Sequence, residues 1–131
     1  MATIFTKIIS GEIPAYKISE TQKFLAFLDV NPLVEGHVLV IPKKEVEYIF
    51  DLEDEEYREL MLFAKSVAIS LKKAIPCKRI GVAIIGLEVP HTHIHLVPLN
   101  QMDDINFSRP KLHPSNEELS ATADKIKAKI F

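Results

Sequence analysis

The segment from Asp54 to Ala74 limits the fold more than any other part of the chain. Leu60, Phe63, Ala64, Val67, Ala68 and Leu71 recur at helical spacing and form one apolar stripe. Asp51, Glu53, Asp54, Glu55 and Glu56 crowd its start, and Lys72 and Lys73 its end, which suits the helix dipole. Pro76 stops it. A one-sided helix of this length needs an apolar layer to cover. The flanking segments supply one, because they read as short strands.

Ile4 to Ile9 predicts a short helix, ended by Ser10-Gly11 and Pro14. Tyr16 to Ser19 and Lys23 to Val30 predict two strands with Thr21-Gln22 at the turn, and Asn31-Pro32 breaks the second. His37 to Ile41 is apolar on both faces and belongs in the middle of a sheet. Ile80 to Ile85 and His93 to Leu99 complete the strands, joined through Gly86-Leu87-Glu88-Val89-Pro90. A final helix runs from Asn116 to about Lys129, where Ser115 and Glu118 make a capping box. Short connections make the sheet largely antiparallel. The expected fold class is α+β: a five-stranded sheet packed against a long helix, with short N-terminal and C-terminal helices. The 131 residues suffice for one core-bearing domain spanning 1–131.

Composition narrows the partners. A net charge of −2 argues against a general nucleic-acid or membrane surface. No stretch approaches the roughly 18 apolar residues of a membrane span, and the start, Met1-Ala2-Thr3-Ile4-Phe5-Thr6-Lys7, is unlike a secretory leader. Cys77 is the single cysteine, so no internal disulfide and no cysteine-based zinc site is expected, and a cytoplasmic setting fits.

The chemistry concentrates in His91-Thr92-His93-Ile94-His95. Strand alternation sends the three imidazoles to one face. Two readings fit. Neutral imidazoles bind metal, although Glu88 is the one nearby carboxylate and no cysteine joins the pattern. Alternatively, one imidazole nitrogen attacks phosphorus while its other nitrogen is held in one tautomer, and neighbouring rings bind phosphate oxygens or protonate a leaving group. His37 becomes a fourth member if its strand lies beside the last one.

His91-Thr92-His93-Ile94-His95-Leu96-Val97 resembles the histidine-triad (HIT) motif. Residues 4–15, from Ile4-Phe5-Thr6-Lys7 through Gly11-Glu12-Ile13-Pro14-Ala15, are similar to the family's N-terminal signature. Leu25-Ala26-Phe27-Leu28-Asp29-Val30-Asn31-Pro32 and Gly36-His37-Val38-Leu39-Val40-Ile41-Pro42-Lys43 are similar to its central strands. The resemblance covers roughly residues 3–99, leaves a C-terminal extension with a helix at about 115–129, and is nearest the Hint-like branch (bacterial nucleoside phosphoramidase, protein kinase C interacting protein-like).

The resemblance implies a HIT-like fold and an enzyme. It would be a nucleotidyl hydrolase or transferase cleaving the α-phosphate bond of a purine nucleoside 5′-monophosphate conjugate, through a nucleotidyl-histidine. His93 would be the nucleophile. His95 would bind the α-phosphate or assist the leaving group, with His91 and His37 in support. Asp29 would take the ribose hydroxyls, Phe5, Ile8, Leu28 and Val30 would sandwich the base, and backbone amides near Gly86 and Glu88 would meet the phosphate. The alternatives are a dinucleoside polyphosphate hydrolase and a catalytically weak nucleotide-binding or interaction module. The implied partners are a purine nucleotide and a second copy of the chain, with no cofactor.

Two departures stand out. Many bacterial relatives carry zinc at positions that here are Thr3, Thr6, Glu45 and His91, so no metal is expected. The turn before the triad is short, and Leu87 stands where relatives have a glutamine; leucine cannot donate to a phosphate oxygen.

Overall fold

The computed structural model describes residues 3–130. Met1 and Ala2, part of the run read as unlike a leader, lie outside them, as does Phe131. Helix α1 spans Ile4–Ser10. Strands β1 (Lys17–Glu20), β2 (Phe24–Leu28) and β3 (Val38–Pro42) follow, then α2 (Asp54–Ala74), β4 (Arg79–Ala83), β5 (Ile94–Leu99) and α3 (Asn116–Lys127). Two short 3-10 turns, Ile49–Asp51 and Met102–Ile105, were not anticipated. No described helix is long and apolar enough to cross a membrane.

The five strands form one sheet in the order β1-β2-β3-β5-β4, and every pairing is antiparallel. The α+β expectation therefore holds. Helix α2 carries the chain from β3 across one face of the sheet to its far edge. There β4 starts, and β5 returns to fill the place between β4 and β3.

Strand alternation sorts the core into two layers. Ala26, Leu28, Val38, Val40, Ile94 and Leu96 face α2 and α3, meeting Leu60, Val67, Leu71 and Leu119. Phe24 stacks on Phe63 of α2, ring centroids 5.5 Å apart. The opposite parity, Leu25, Phe27, Leu39 and Ile41, packs against Phe5 and Ile8 of α1. Covered on both sides, β2 and β3 are buried along their whole length, which explains their unbroken apolar runs.

Helix caps follow the sequence. Thr3 Oγ1 accepts from the Thr6 amide, and Gly11 ends α1 in the left-handed region at φ 87°. The Ser115–Glu118 capping box forms at α3.

Two strands stop earlier than expected. β2 ends at Leu28 rather than Val30, because Asp29 Oδ1 accepts from the Asn31 amide at 2.9 Å and turns the chain out of the ladder. β4 ends at Ala83 rather than Ile85, where the ladder with β5 closes at the Ala83–His95 pair.

Candidate active site

The histidines share the α1 side of the sheet, where Phe5 of α1 meets His91 and His93. β5 begins only at Ile94, so His91 and His93 lie on the approach to the strand. Thr92 fixes that approach: its amide and its hydroxyl both donate to the Val46 carbonyl, each at 2.7 Å. His95 pairs with Leu39 across β5 and β3. His37, one residue before β3, reaches it from the adjacent strand. The structure thus brings His37, His91, His93 and His95 together, all buried.

Hydrogen bonds set the tautomer of each ring. A carbonyl only accepts, so His91 Nε2 donates to Pro42 O at 2.8 Å and His93 Nδ1 donates to His91 O at 2.7 Å. With its proton on Nδ1, the neutral form of His93 has its lone pair on Nε2. An amide only donates, so the Leu33 N–H at 3.1 Å makes His37 Nδ1 an acceptor. The proton of His37 sits on Nε2 and is donated to His95 Nδ1 at 2.9 Å. His95 must then carry its own proton on Nε2. The cluster has two branches: the His91 backbone orients His93, and the His37 ring orients His95.

Electrostatics agree with neutral rings. Burial first, then the charges of His95 and Lys111, push His37 down to about 3. Burial, His93 and Lys111 push His95 down to about 4. Burial also lowers His91, against the opposing bond to Pro42. The half-buried Asp29 carboxyl is raised by burial, partly offset by its bond from Asn31. Its Oδ2 lies 3.8 Å from His37 Nε2, and since His37 is neutral this is proximity rather than an ion pair.

The expected nucleotide contacts divide. Phe5 stands edge-on to His93 (5.0 Å between centroids) and His91 (5.8 Å), with Ile8 beside it on α1. Asp29 lies beside His37. Val30 is 48% exposed and outside the core. Gly86 adopts φ 73°, a conformation that favours glycine, and Glu88 is exposed beyond it. Leu28 differs from its expected position: its parity turns it to the helix-side core, away from Phe5. Phe27, of the opposite parity, lies 5.7 Å from Phe5 on the α1 side.

Three further residues at the site had no sequence signal. After β5 the chain folds back over the cluster, and Phe107 stacks edge-on against His95 at 4.8 Å and His37 at 6.3 Å. Lys111 donates to Phe107 O at 2.7 Å and lies 6.0 Å from the Phe107 ring. Arg109 donates to Leu33 O at 2.6 Å. A single aromatic and two cations in a proline-containing stretch without periodicity read only as loop.

Neither possible metal arrangement fits a metal. Asp29, His37 and His95 bring one ligand atom each within 4.8 Å of one another. A metal on His37 Nε2 would need the ring proton on Nδ1, facing the Leu33 N–H, so two donors would collide. Of the four positions where the resemblance implies zinc, Glu45 and His91 keep donors that zinc takes, but Thr3 Oγ1 caps α1 and lies 3.1 Å from Thr6 Oγ1. Neutral hydroxyls are not the thiolate, imidazole or carboxylate donors that zinc takes. His91 Nδ1 is left as the only buried side-chain nitrogen or oxygen among the described residues without a hydrogen-bond partner.

A family model for the HIT domain matches residues 10–102. The adenosine 5′-monophosphoramidase hnt1 of Schizosaccharomyces pombe is 35% identical over 136 residues, covering 99% of each chain. An uncharacterized HIT-like protein of Borreliella burgdorferi is 38% identical over 81% of each. Among solved structures, a Hit-like protein involved in cell-cycle regulation from Bartonella henselae superposes with a TM-score of 0.86 at 29% identity, covering 98% of this chain and 96% of that one. A zinc-bound histidine triad family protein of Mycobacterium smegmatis gives 0.84 at 27% identity, covering 98% of this chain and 93% of that one. With the motif, the fold and near-full-length relatives in agreement, the chain belongs to the HIT-domain family.

Proposed function

We propose that this protein is a nucleotidyl hydrolase that cleaves the α-phosphate bond of a purine nucleoside 5′-monophosphate amide. The observation that carries the reading is the fixed tautomer of His93, whose Nδ1 proton is held by the His91 carbonyl at 2.7 Å. The lone pair on Nε2 attacks phosphorus. The Nε2–P bond forms as the P–N bond breaks, and the leaving amine takes a proton from water. A second water then cleaves the Nε2–P bond and releases the nucleoside monophosphate. Neutral His95 donates Nε2–H to a phosphoryl oxygen, where charge grows in the transition state. It is a poor general acid in this state, so its assignment here is to the phosphate.

Asp29 accepts from the ribose hydroxyls, and Phe5, Ile8 and Val30 flank the base. Relatives named adenosine 5′-monophosphoramidase support the substrate class. The exposed side chains Leu62 and Ile69 on α2 and Val82 on edge strand β4 suit a homodimer joined along that side. The single free thiol, Cys77, suits a cytoplasmic setting.

The test is incubation with adenosine 5′-phosphoramidate. The reading expects AMP and ammonia, together with a rapid-quench adenylylated peptide containing His93. Absence of both products, with AMP still bound, would establish instead a binding module. The exposed Leu87, which supplies no donor, favours one second reading, a polyphosphate substrate whose leaving group needs less protonation. Faster turnover of diadenosine polyphosphates than of the phosphoramidate would select it.

A further inference from the structure

After β5 the chain makes the 3-10 turn at Met102–Ile105 and then a strap, residues 106–112, across His37 and His95. The strap is tied down at several points. The Leu112 amide donates to Pro32 O at 2.9 Å. Lys111 closes the turn on Phe107 O and, at 3.4 Å, on Arg109 O. The half-buried Arg109 makes a side-chain tie to the same turn. Its Nη2 donates to Leu33 O at 2.6 Å, while Nη1 lies 3.3 Å from Asp103 Oδ2 and 3.5 Å from Asp104 Oδ1.

Leu33 is also the residue whose amide reaches His37 Nδ1. It sits in the turn between β2 and β3, outside both strand ladders, where the strap holds it on two sides: Leu112 through the Pro32 carbonyl of the peptide unit that carries the Leu33 N–H, and Arg109 through the Leu33 carbonyl of the next. A continuous series of hydrogen bonds therefore runs from Arg109 to Leu33, from Leu33 to His37, and from His37 to His95. Each link constrains the next. With the Leu33 N–H in place, His37 cannot carry a proton on Nδ1. With His37 Nε2–H directed at it, His95 cannot carry one on Nδ1. Phe107 covers both rings from the strap side.

We propose that Arg109 is a positioning residue: by holding Leu33 it fixes His37, and so keeps His95 a neutral donor whose only proton is on Nε2. The inference deepens the functional reading above and rests on it for the role of His95. Asp29, His93 and Lys111 are the titratable and charged groups acting on His37 and His95, and all remain in an Arg109 variant. Arg109 is not itself a catalytic residue, since nothing places it against the reacting atoms.

The test is nitrogen NMR of the histidine rings in the full chain without substrate, read beside kinetics. Wild type should show both His37 and His95 with the proton on Nε2 and unprotonated Nδ1. It should also show scalar coupling across the Leu33–His37 and His37–His95 hydrogen bonds. In Arg109→Met both couplings should weaken, the rings should become tautomer mixtures, and their titration should move up by about one unit or more. With adenosine 5′-phosphoramidate, kcat should fall about 10-fold or more while KM stays within about 2-fold. Arg109→Lys should restore much of the wild-type pattern. If Arg109→Met does not fold, Arg109→Gln replaces it with the same expectations. Unchanged tautomers and couplings in a folded Met or Gln variant overturn the proposal, as does a wild type with its His37 proton on Nδ1. The ring spectra need no turnover. If wild type fails to hydrolyse the phosphoramidate but keeps this tautomer pattern, the functional reading falls and the positioning role stands.

Discussion

The Nδ1 atom of His93 lies 2.7 Å from the backbone carbonyl oxygen of His91, two residues earlier in the same segment. The partner that orients the proposed nucleophile is therefore main chain, and no side-chain substitution removes it. What the His91 side chain adds is indirect: its Nε2–H ties that stretch to Pro42 O across the sheet.

The two residues should accordingly differ in severity. His93→Ala should lower turnover by about 10³-fold or more, since it removes the attacking atom, with AMP affinity changed little. His91→Leu should cost about 10-fold to 100-fold, because the carbonyl remains but its anchor is lost. Steady-state rates with calorimetric AMP binding separate these outcomes. Equal losses would count against the assignment.

Stability should depend on acid in a defined window. His37 and His95 titrate near 3 and 4 in the folded chain and near 6.5 when unfolded. Between those values the unfolded chain binds more protons. The stability these groups contribute is complete above about pH 6.5 and is lost progressively as pH falls to about 4 for His95 and about 3 for His37. A loss on the order of a few kcal/mol is expected from denaturant melts at pH 7 and pH 4.5. His37→Asn should flatten the dependence.

Leu87 is 89% exposed and precedes the triad in a turn without a side-chain donor. Leu87→Gln should leave stability within about 0.5 kcal/mol. It should raise kcat on an amide substrate by about 10-fold, by adding a donor near developing phosphoryl charge. Parallel assays on the amide and on a dinucleoside polyphosphate read the preference, and no change on either would place the turn away from the phosphate.

Gly36 carries a backbone demand that also protects His37. It holds φ at +88°, and an added Cβ would lie 2.9 Å from Ile75 Cγ1 and 3.2 Å from Pro98 Cγ. Gly36→Ala should destabilise the fold by about 1–3 kcal/mol, measured as a shifted denaturation midpoint with an unchanged slope.

What the sequence reveals depends on the range of the forces involved. Helix α2 was legible from Asp54 to Ala74, because dipole-matched charges, an apolar stripe and Pro76 all act locally. The four histidines were legible because alternation and neighbouring strands place them on one face. The ends of β2 and β4 were not, since they depend on an Asx turn and on where a partner strand runs out. Leu28 was expected at the base, and its side chain packs in the helix-side core, one residue out of parity with Phe5. Arg109 and Phe107 escaped entirely: Arg109 meets Leu33 across 76 positions of chain, and no local pattern encodes such a meeting.

The place of β5 between β3 and β4 governs the order in which this protein can be made. Until Ile94–Leu99 has emerged from the ribosome, β3 and β4 each present an unpaired edge, and the histidine cluster lacks His95. Chains interrupted before that point carry unpaired strands open to association with other chains. Closure of the sheet and completion of the histidine cluster therefore both wait on β5, the one strand that pairs with β3 and with β4.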